Sequence, residues 1–143
     1  MKVADCMSRN PLTAHPSMTA SEAWYKLKTS VLHVLPVVDD TGLIGIIKLA
    51  DLEEFAQKRS SYHAPEFLVG EYLLEGLLVG DVMRAPTATV HPSDALETAA
   101  QEMLRHKILG LPVVEDHWRL VGVITVSDLL EVFATHRFLS LPG

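Results

Sequence analysis

The sequence predicts a mixed α/β (α+β) fold in which two β-α-β-β-α repeats pack sheet to sheet about a pseudo-twofold axis. One phrase occurs twice: Gly45-Ile-Ile-Lys-Leu-Ala-Asp51 followed by Leu52, and Gly122-Val-Ile-Thr-Val-Ser-Asp128 followed by Leu129. The recurrence extends along the chain. Val3, Asp5 and Met7 return 76 positions later as Val79, Asp81 and Met83, His15-Pro16-Ser17 as His91-Pro92-Ser93, and Leu35-Pro36-Val37-Val38 as Leu111-Pro112-Val113-Val114. Strands this apolar on both faces need covering twice, and a unit of about 55 residues has too little interior to be comfortably stable alone. Each copy is therefore expected to cover the other.

The elements follow from punctuation and period. Leu12 to His15 is extended and ends at Pro16, because the residue before a proline is pushed away from helical dihedrals. Thr19-x-x-Glu22 is a capping-box pattern, opening a helix to about Ser30 with Ala20, Ala23, Trp24 and Leu27 on one face. Leu35–Val38 and Leu43–Ile47 are apolar strands joined by the turn Asp39-Asp40-Thr41-Gly42, and a helix runs from Asp51 to about Lys58. The second copy repeats this order. Thr87–Val90 is extended, a helix runs from Ser93 or Asp94 to about His106, strands lie near Leu111–Glu115 and Leu120–Ile124, and a helix continues to about His136. Its second turn is one residue longer, which moves the offset to 77 from Gly122 onward. The organisation is repeat 1 over 1–59, a linker over 60–78, repeat 2 over 79–136 and a tail over 137–143. Within the linker, Glu66 to Leu78 has the pattern of an amphipathic helix broken near Gly70 or Gly76.

Composition narrows the function. The 143 residues carry 48% hydrophobic and 21% charged side chains, with a formal net charge of -6. The longest basic run is Lys58-Arg59, so the basic face of a nucleic-acid binder is not expected. A single cysteine, Cys6, allows no intramolecular disulfide and fits a reducing, cytoplasmic compartment. The N-terminus lacks the apolar core of a signal peptide, and no uncharged apolar stretch is long enough to span a bilayer. Membrane association is not expected.

At the end of the apolar strand Leu120–Ile124, Thr125, Ser127 and Asp128 fall in the first turn of a helix. Free backbone N–H groups and the positive end of the helix dipole meet a hydroxyl and a carboxylate there. That combination suits a polyhydroxylated ligand. Both side chains also have structural uses, Thr125 as an N-cap and Asp128 as a helix-start acid. His15 and His91 precede prolines at element boundaries and read as structural. The seven histidines show no metal-ligand spacing, and no nucleophile elbow, phosphate loop or dinucleotide fingerprint is present. A catalytic centre is not expected. Glu53-Glu54 and Asp39-Asp40 read as solvated charge.

Asp-x-Met near the start, His-Pro before a helix, Leu-Pro-Val-Val, and Gly-(apolar)-(apolar)-Thr-x-x-Asp-Leu together resemble the CBS domain, named for cystathionine β-synthase. The resemblance covers about Val3–Ala56 and Val79–Thr135, nearly the whole chain, and implies a stand-alone pair of such domains. It implies a regulatory module rather than an enzyme, with no required cofactor. The implied ligand is an adenosine compound such as AMP, ADP, ATP or S-adenosylmethionine, and the implied assembly is a homodimer acting on a regulated protein partner. By the same resemblance Asp128 takes the ribose hydroxyls, with Thr125 beside the ribose or α-phosphate. Pro11, Leu12 and Thr13 would lie against the base, and His33 and Val34 near the phosphates. The first copy departs from the pattern, since Lys48 stands where the threonine would be while Asp51 is kept. Lys48 could reach a ligand phosphate as a point charge or fill that cleft and pair with Asp51; the second is the expectation, which leaves two unequal sites. Its other implied residues are Pro86, Thr87 and Ala88, with Leu109, Gly110 and Lys107. Arg9 and Arg84 are further phosphate candidates. The alternative is a docking or dimerisation scaffold without a small ligand.

Overall fold

The computed structural model describes residues 1–30, 32–59 and 74–135. Most of the expected linker helix, residues 66–73, and the tail 137–143 lie outside the described residues. The chain forms two compact units, one of residues 12–86 and one of residues 1–11 with 87–143. These units cut across the sequence repeats, because the opening segment of each copy packs with the body of the other copy.

The unit of residues 12–86 contains α1 (Ala20–Thr29), β1 (Val34–Asp39), β2 (Gly42–Lys48), α2 (Leu49–Arg59) and the one-turn helix α3 (Val79–Val82). Thr19 caps α1, its Oγ1 accepting from the Glu22 N–H at 3.1 Å, as the sequence pattern predicts. β1 and β2 form an antiparallel pair with Val37 opposite Gly45 and Val38 opposite Leu43, so Ile44 is an extra residue that kinks the ribbon. Ala20, Ala23, Trp24, Leu27, Leu35, Val37, Ile47, Leu52, Leu74, Val79 and Val82 are buried together. Burying each large aliphatic side chain contributes about 1.5–3 kcal/mol.

The other unit contains α4 (Leu96–His106), β3 (Gly110–Glu115), β4 (Arg119–Thr125) and α5 (Val126–Thr135), together with the turn Val3–Asp5. β3 and β4 pair as β1 and β2 do, and Val121 is the extra residue. Val3, Met7, Val90, Leu96, Ala99, Met103, Leu111, Val113, Ile124 and Val132 are buried together. α4 begins at Leu96 rather than at Ser93 or Asp94. The Asp94 carboxylate instead accepts from the His91 N–H at 2.8 Å, Ala95 is extended, and the Leu96 N–H donates to the Met1 carbonyl at 3.0 Å. The first helical donor is thus satisfied from outside the helix.

The expected first strand of each repeat is reduced to a single bridge, and prolines are the reason. The Ala14 N–H donates to the Pro36 carbonyl at 2.8 Å and the Val38 N–H to the Ala14 carbonyl at 2.9 Å, a parallel bridge of Ala14 with Val37. Extending it backward needs an N–H on Pro36, and extending it forward needs one on Pro16. Neither exists. Val90 bridges Val113 in the same way, bounded by Pro112 and Pro92. Each sheet therefore has two strands.

The segments that cross between copies bind by backbone. Ser8 N–H donates to the Val123 carbonyl at 2.9 Å and the Val123 N–H to the Ser8 carbonyl at 3.0 Å; Arg84 and Ile46 make the same exchange at 2.9 and 2.8 Å. Asp5 and Asp81, which recur in the sequence, each accept from the N–H three residues earlier, Lys2 at 2.8 Å and Leu78 at 3.0 Å. They close the one-turn helices, so their repetition has a structural cause.

The two hairpin turns differ where the sequence places the insertion. In the first, Asp39 Oδ1 accepts from the Thr41 N–H at 2.8 Å and from its hydroxyl at 2.6 Å. These bonds, the hydroxyl one first, hold the Asp39 carboxyl below its usual range. A lowered carboxyl stabilises the fold above the unfolded pKa and loses that contribution as pH falls through the folded value. The Asp39 resonance should therefore titrate below that of an ordinary exposed aspartate, and Thr41→Ala should raise its midpoint. An unmoved midpoint would break the assignment. In the longer turn His117 and Trp118 both lie in the left-handed region, at φ 63° and 60°.

Candidate ligand site

Thr125 ends β4 and Asp128 lies in the first turn of α5. The two side chains form a reciprocal box: the Thr125 N–H donates to Asp128 Oδ2 at 2.8 Å, and the Asp128 N–H donates to Thr125 Oγ1 at 3.2 Å. Both residues are half-buried. The Val126 N–H is held by the Leu109 carbonyl at 2.9 Å, and Gly110 pairs with Thr125 across the sheet. Spacing alone placed Thr125 and Asp128 together, and the box fixes the carboxylate at a helix start with Oδ1 outside these bonds. A carboxylate held so can accept two hydroxyls of a ligand, each bond to a charged group contributing about 1.5–3 kcal/mol.

The first copy is built differently. Lys48 ends β2 opposite Val34, and the Leu49 N–H is held by the His33 carbonyl at 2.9 Å. Lysine offers no acceptor, so no reciprocal box forms. Asp51 does not pair with Lys48, contrary to the sequence expectation. Its Oδ2 lies 3.2 Å from Arg84 Nε, with the Asp51 side chain 18% and the Arg84 side chain 65% exposed. The backbone exchange between Arg84 and Ile46 pins the arginine beside β2, and that brings its guanidinium to the first turn of α2. Asp51 Oδ2 is shielded from solvent and accepts no hydrogen bond among the described residues. The pair is close in distance and poor in hydrogen-bond geometry.

His33 is exposed, at φ 55°, with Nδ1 2.9 Å from the Leu27 carbonyl at the end of α1. That contact fixes Nδ1 as the donor and leaves Nε2 for other contacts. Val34 starts β1. Pro11 belongs to the unit of Thr125 and Asp128, and Leu12, Thr13, His33 and Val34 belong to the other. The Thr13 carbonyl accepts from Lys26 Nζ at 2.6 Å. Thr87 is exposed, Ala88 half-buried against the core of its unit, and both share that unit with Gly110. His15 Nδ1 accepts from the Ser17 N–H at 3.1 Å, a local turn contact. Burial first, then Asp5 and Asp128, push the Cys6 thiol up, which disfavours the nucleophilic thiolate. Among the described residues there is no group of acidic, histidine or cysteine side chains fit to hold a metal ion. No helix among them is long and apolar enough to cross a membrane.

The family profile of the CBS domain matches residues 3–58 and 79–135. The chain belongs to the CBS-domain family. It carries the domain in tandem, and the two-sheet α+β fold agrees with solved CBS pairs. The CBS domain pair of protein MJ0100, solved in complex with 5′-methylthioadenosine and S-adenosyl-L-methionine, is 28% identical with a TM-score of 0.71, covering 93% of this chain and 99% of that one. CBSX2, solved in complex with AMP, is 26% identical with a TM-score of 0.77, covering 95% and 98%; the CBS-pair protein of that name comes from Arabidopsis thaliana. Among curated relatives, the L-aspartate semialdehyde sulfurtransferase of Methanocaldococcus jannaschii is 29% identical over 133 residues, 92% of this chain and 23% of that protein. The chain spans less than two thirds of the length of the first such relatives.

Proposed function

We propose that this CBS pair is a regulatory module that takes the ribose of an adenosine-containing ligand, AMP, ADP, ATP or S-adenosylmethionine, at Thr125 and Asp128. The observation that carries this reading is the reciprocal box, which orients a half-buried carboxylate at the start of α5. Neighbours solved with AMP or with S-adenosyl-L-methionine support the ligand class. Regulation of a protein partner follows if the ligand binds one arrangement of the chain more tightly than another.

Calorimetric titration with AMP, ATP and S-adenosylmethionine tests the reading. Binding below millimolar is expected. Asp128→Asn keeps an oxygen for the Thr125 N–H but removes the charge, so affinity should fall at least about tenfold, roughly 1.4 kcal/mol, while the fold persists. Wild-type protein that binds none of the three would refute it. A scaffold reading draws on α5, where Leu130 and Phe133 are 61% and 68% exposed. Solution mass with and without nucleotide separates the two: a homodimer indifferent to ligand favours the scaffold.

A further inference from the structure

The two β–α junctions share one backbone pattern and differ in what their aspartate holds. In the second copy the position following Met7 is Ser8, and Asp128 closes a box with Thr125. In the first, the position following Met83 is Arg84, which reaches Asp51 at 3.2 Å. Both residues exchange the same two backbone hydrogen bonds with their strand, so only the side chain distinguishes them. The Lys48 side chain forms no ion pair or hydrogen bond among the described residues, while Asp51 Oδ2 is shielded from solvent with the guanidinium as its compensating charge.

We infer that Arg84 is an internal latch: its guanidinium occupies Asp51 and closes the first copy to ribose, so that the pair binds one ligand per chain through the second copy. The inference rests on the ribose role proposed above for the Thr-x-x-Asp box. A ligand hydroxyl is a neutral donor and must displace a cation from a half-buried carboxylate, without the threonine hydroxyl that organises the second junction. Lys48 ends β2 at the position that Thr125 holds at the end of β4, so the first copy lacks that hydroxyl. Two positions therefore separate the first copy from the second, and restoring it fully requires both.

The test grafts the second copy's side chains onto the first, as Lys48→Thr with Arg84→Ser, and counts bound AMP by calorimetry. The backbone of residue 84 keeps its exchange with Ile46, so the fold should hold. Arg84→Gln, which keeps the bulk and removes the charge, serves if the double variant is unstable, and it should give weak but measurable binding at the first copy. One ligand in wild type and two in the double variant is the expected result. No ligand in wild type and one in the variant upholds the latch and refutes the role given to Thr125 and Asp128. Two equivalent ligands in wild type overturn the latch, as does an unchanged count in the folded variants.

Discussion

Cutting Val3 and Met7 back to alanine together opens the unit formed by residues 1–11 and 87–135, while residues 12–59 keep their protection. Both side chains are buried in the core built on β3, β4 and α4. Val3→Ala removes about two methyl-sized groups, and Met7→Ala leaves a cavity as well. The two together should cost about 3–6 kcal/mol. That is a large part of the 5–15 kcal/mol that typically separates a folded domain from its unfolded chain. Hydrogen exchange resolved by residue measures it, because amides of β3 and β4 should lose protection ahead of those of β1 and β2. Equal loss in both ribbons, or none, would show that the opening segment does not belong to the second copy's core. Val79→Ala is the mirror case and should loosen β1 and β2.

This prediction marks the limit of what the sequence could disclose. Offsets and apolar runs placed the helices and the central strands within a few residues, since those depend on local period and caps. They could not say which opening segment closes which core. Lys2-Val-Ala-Asp-Cys-Met7 and Leu78-Val-Gly-Asp-Val-Met83 carry the same Val-x-Asp-x-Met pattern. Either would satisfy either ribbon by local rules. Likeness therefore yields repeats at 1–59 and 79–136, and packing yields units that exchange the openings.

The candidate site divides in the same way. Thr125 and Asp128 are three residues apart at a strand-to-helix junction, so their meeting was legible from spacing. Asp51 was legible as a carboxylate, but its partner was assigned to Lys48, its neighbour in sequence. The arginine that reaches it arrives through a backbone bridge to Ile46, which no period in the sequence encodes. The prolines show a subtler gap. In the sequence His-Pro reads as a boundary mark, and Leu-Pro as part of an apolar strand. Their joint effect, stopping a parallel ladder after one bridge, requires knowing that Ala14 faces Val37.

Gly122→Ala destabilises the same unit, against the usual direction for this substitution. Glycine to alanine at a compatible position normally stabilises by about 0.4–1 kcal/mol, by narrowing the unfolded ensemble. Here a Cβ would sit 2.7 Å from the Ser8 carbonyl oxygen and 3.0 Å from Met7 Sδ. The methionine end can swing aside. The Ser8 oxygen cannot, because it accepts the Val123 N–H at 3.0 Å, one residue along the same strand. Moving it breaks that bond and strains its partner, so overpacking of about 1–3 kcal/mol is joined by about 0.5–1.5 kcal/mol for each backbone bond lost. A net loss of about 2–4 kcal/mol in chemical denaturation is expected. At Gly45 the facing Arg84 oxygen is 2.9 Å away, which makes Gly45→Ala the milder of the two. The close approach also explains why glycine and methionine recur together in both copies: the strand must be bare where the opening segment crosses it. Alanine at position 122 with wild-type stability would mean that the segment can lift off β4 at no cost, and the exchange of openings between copies would lose its physical basis.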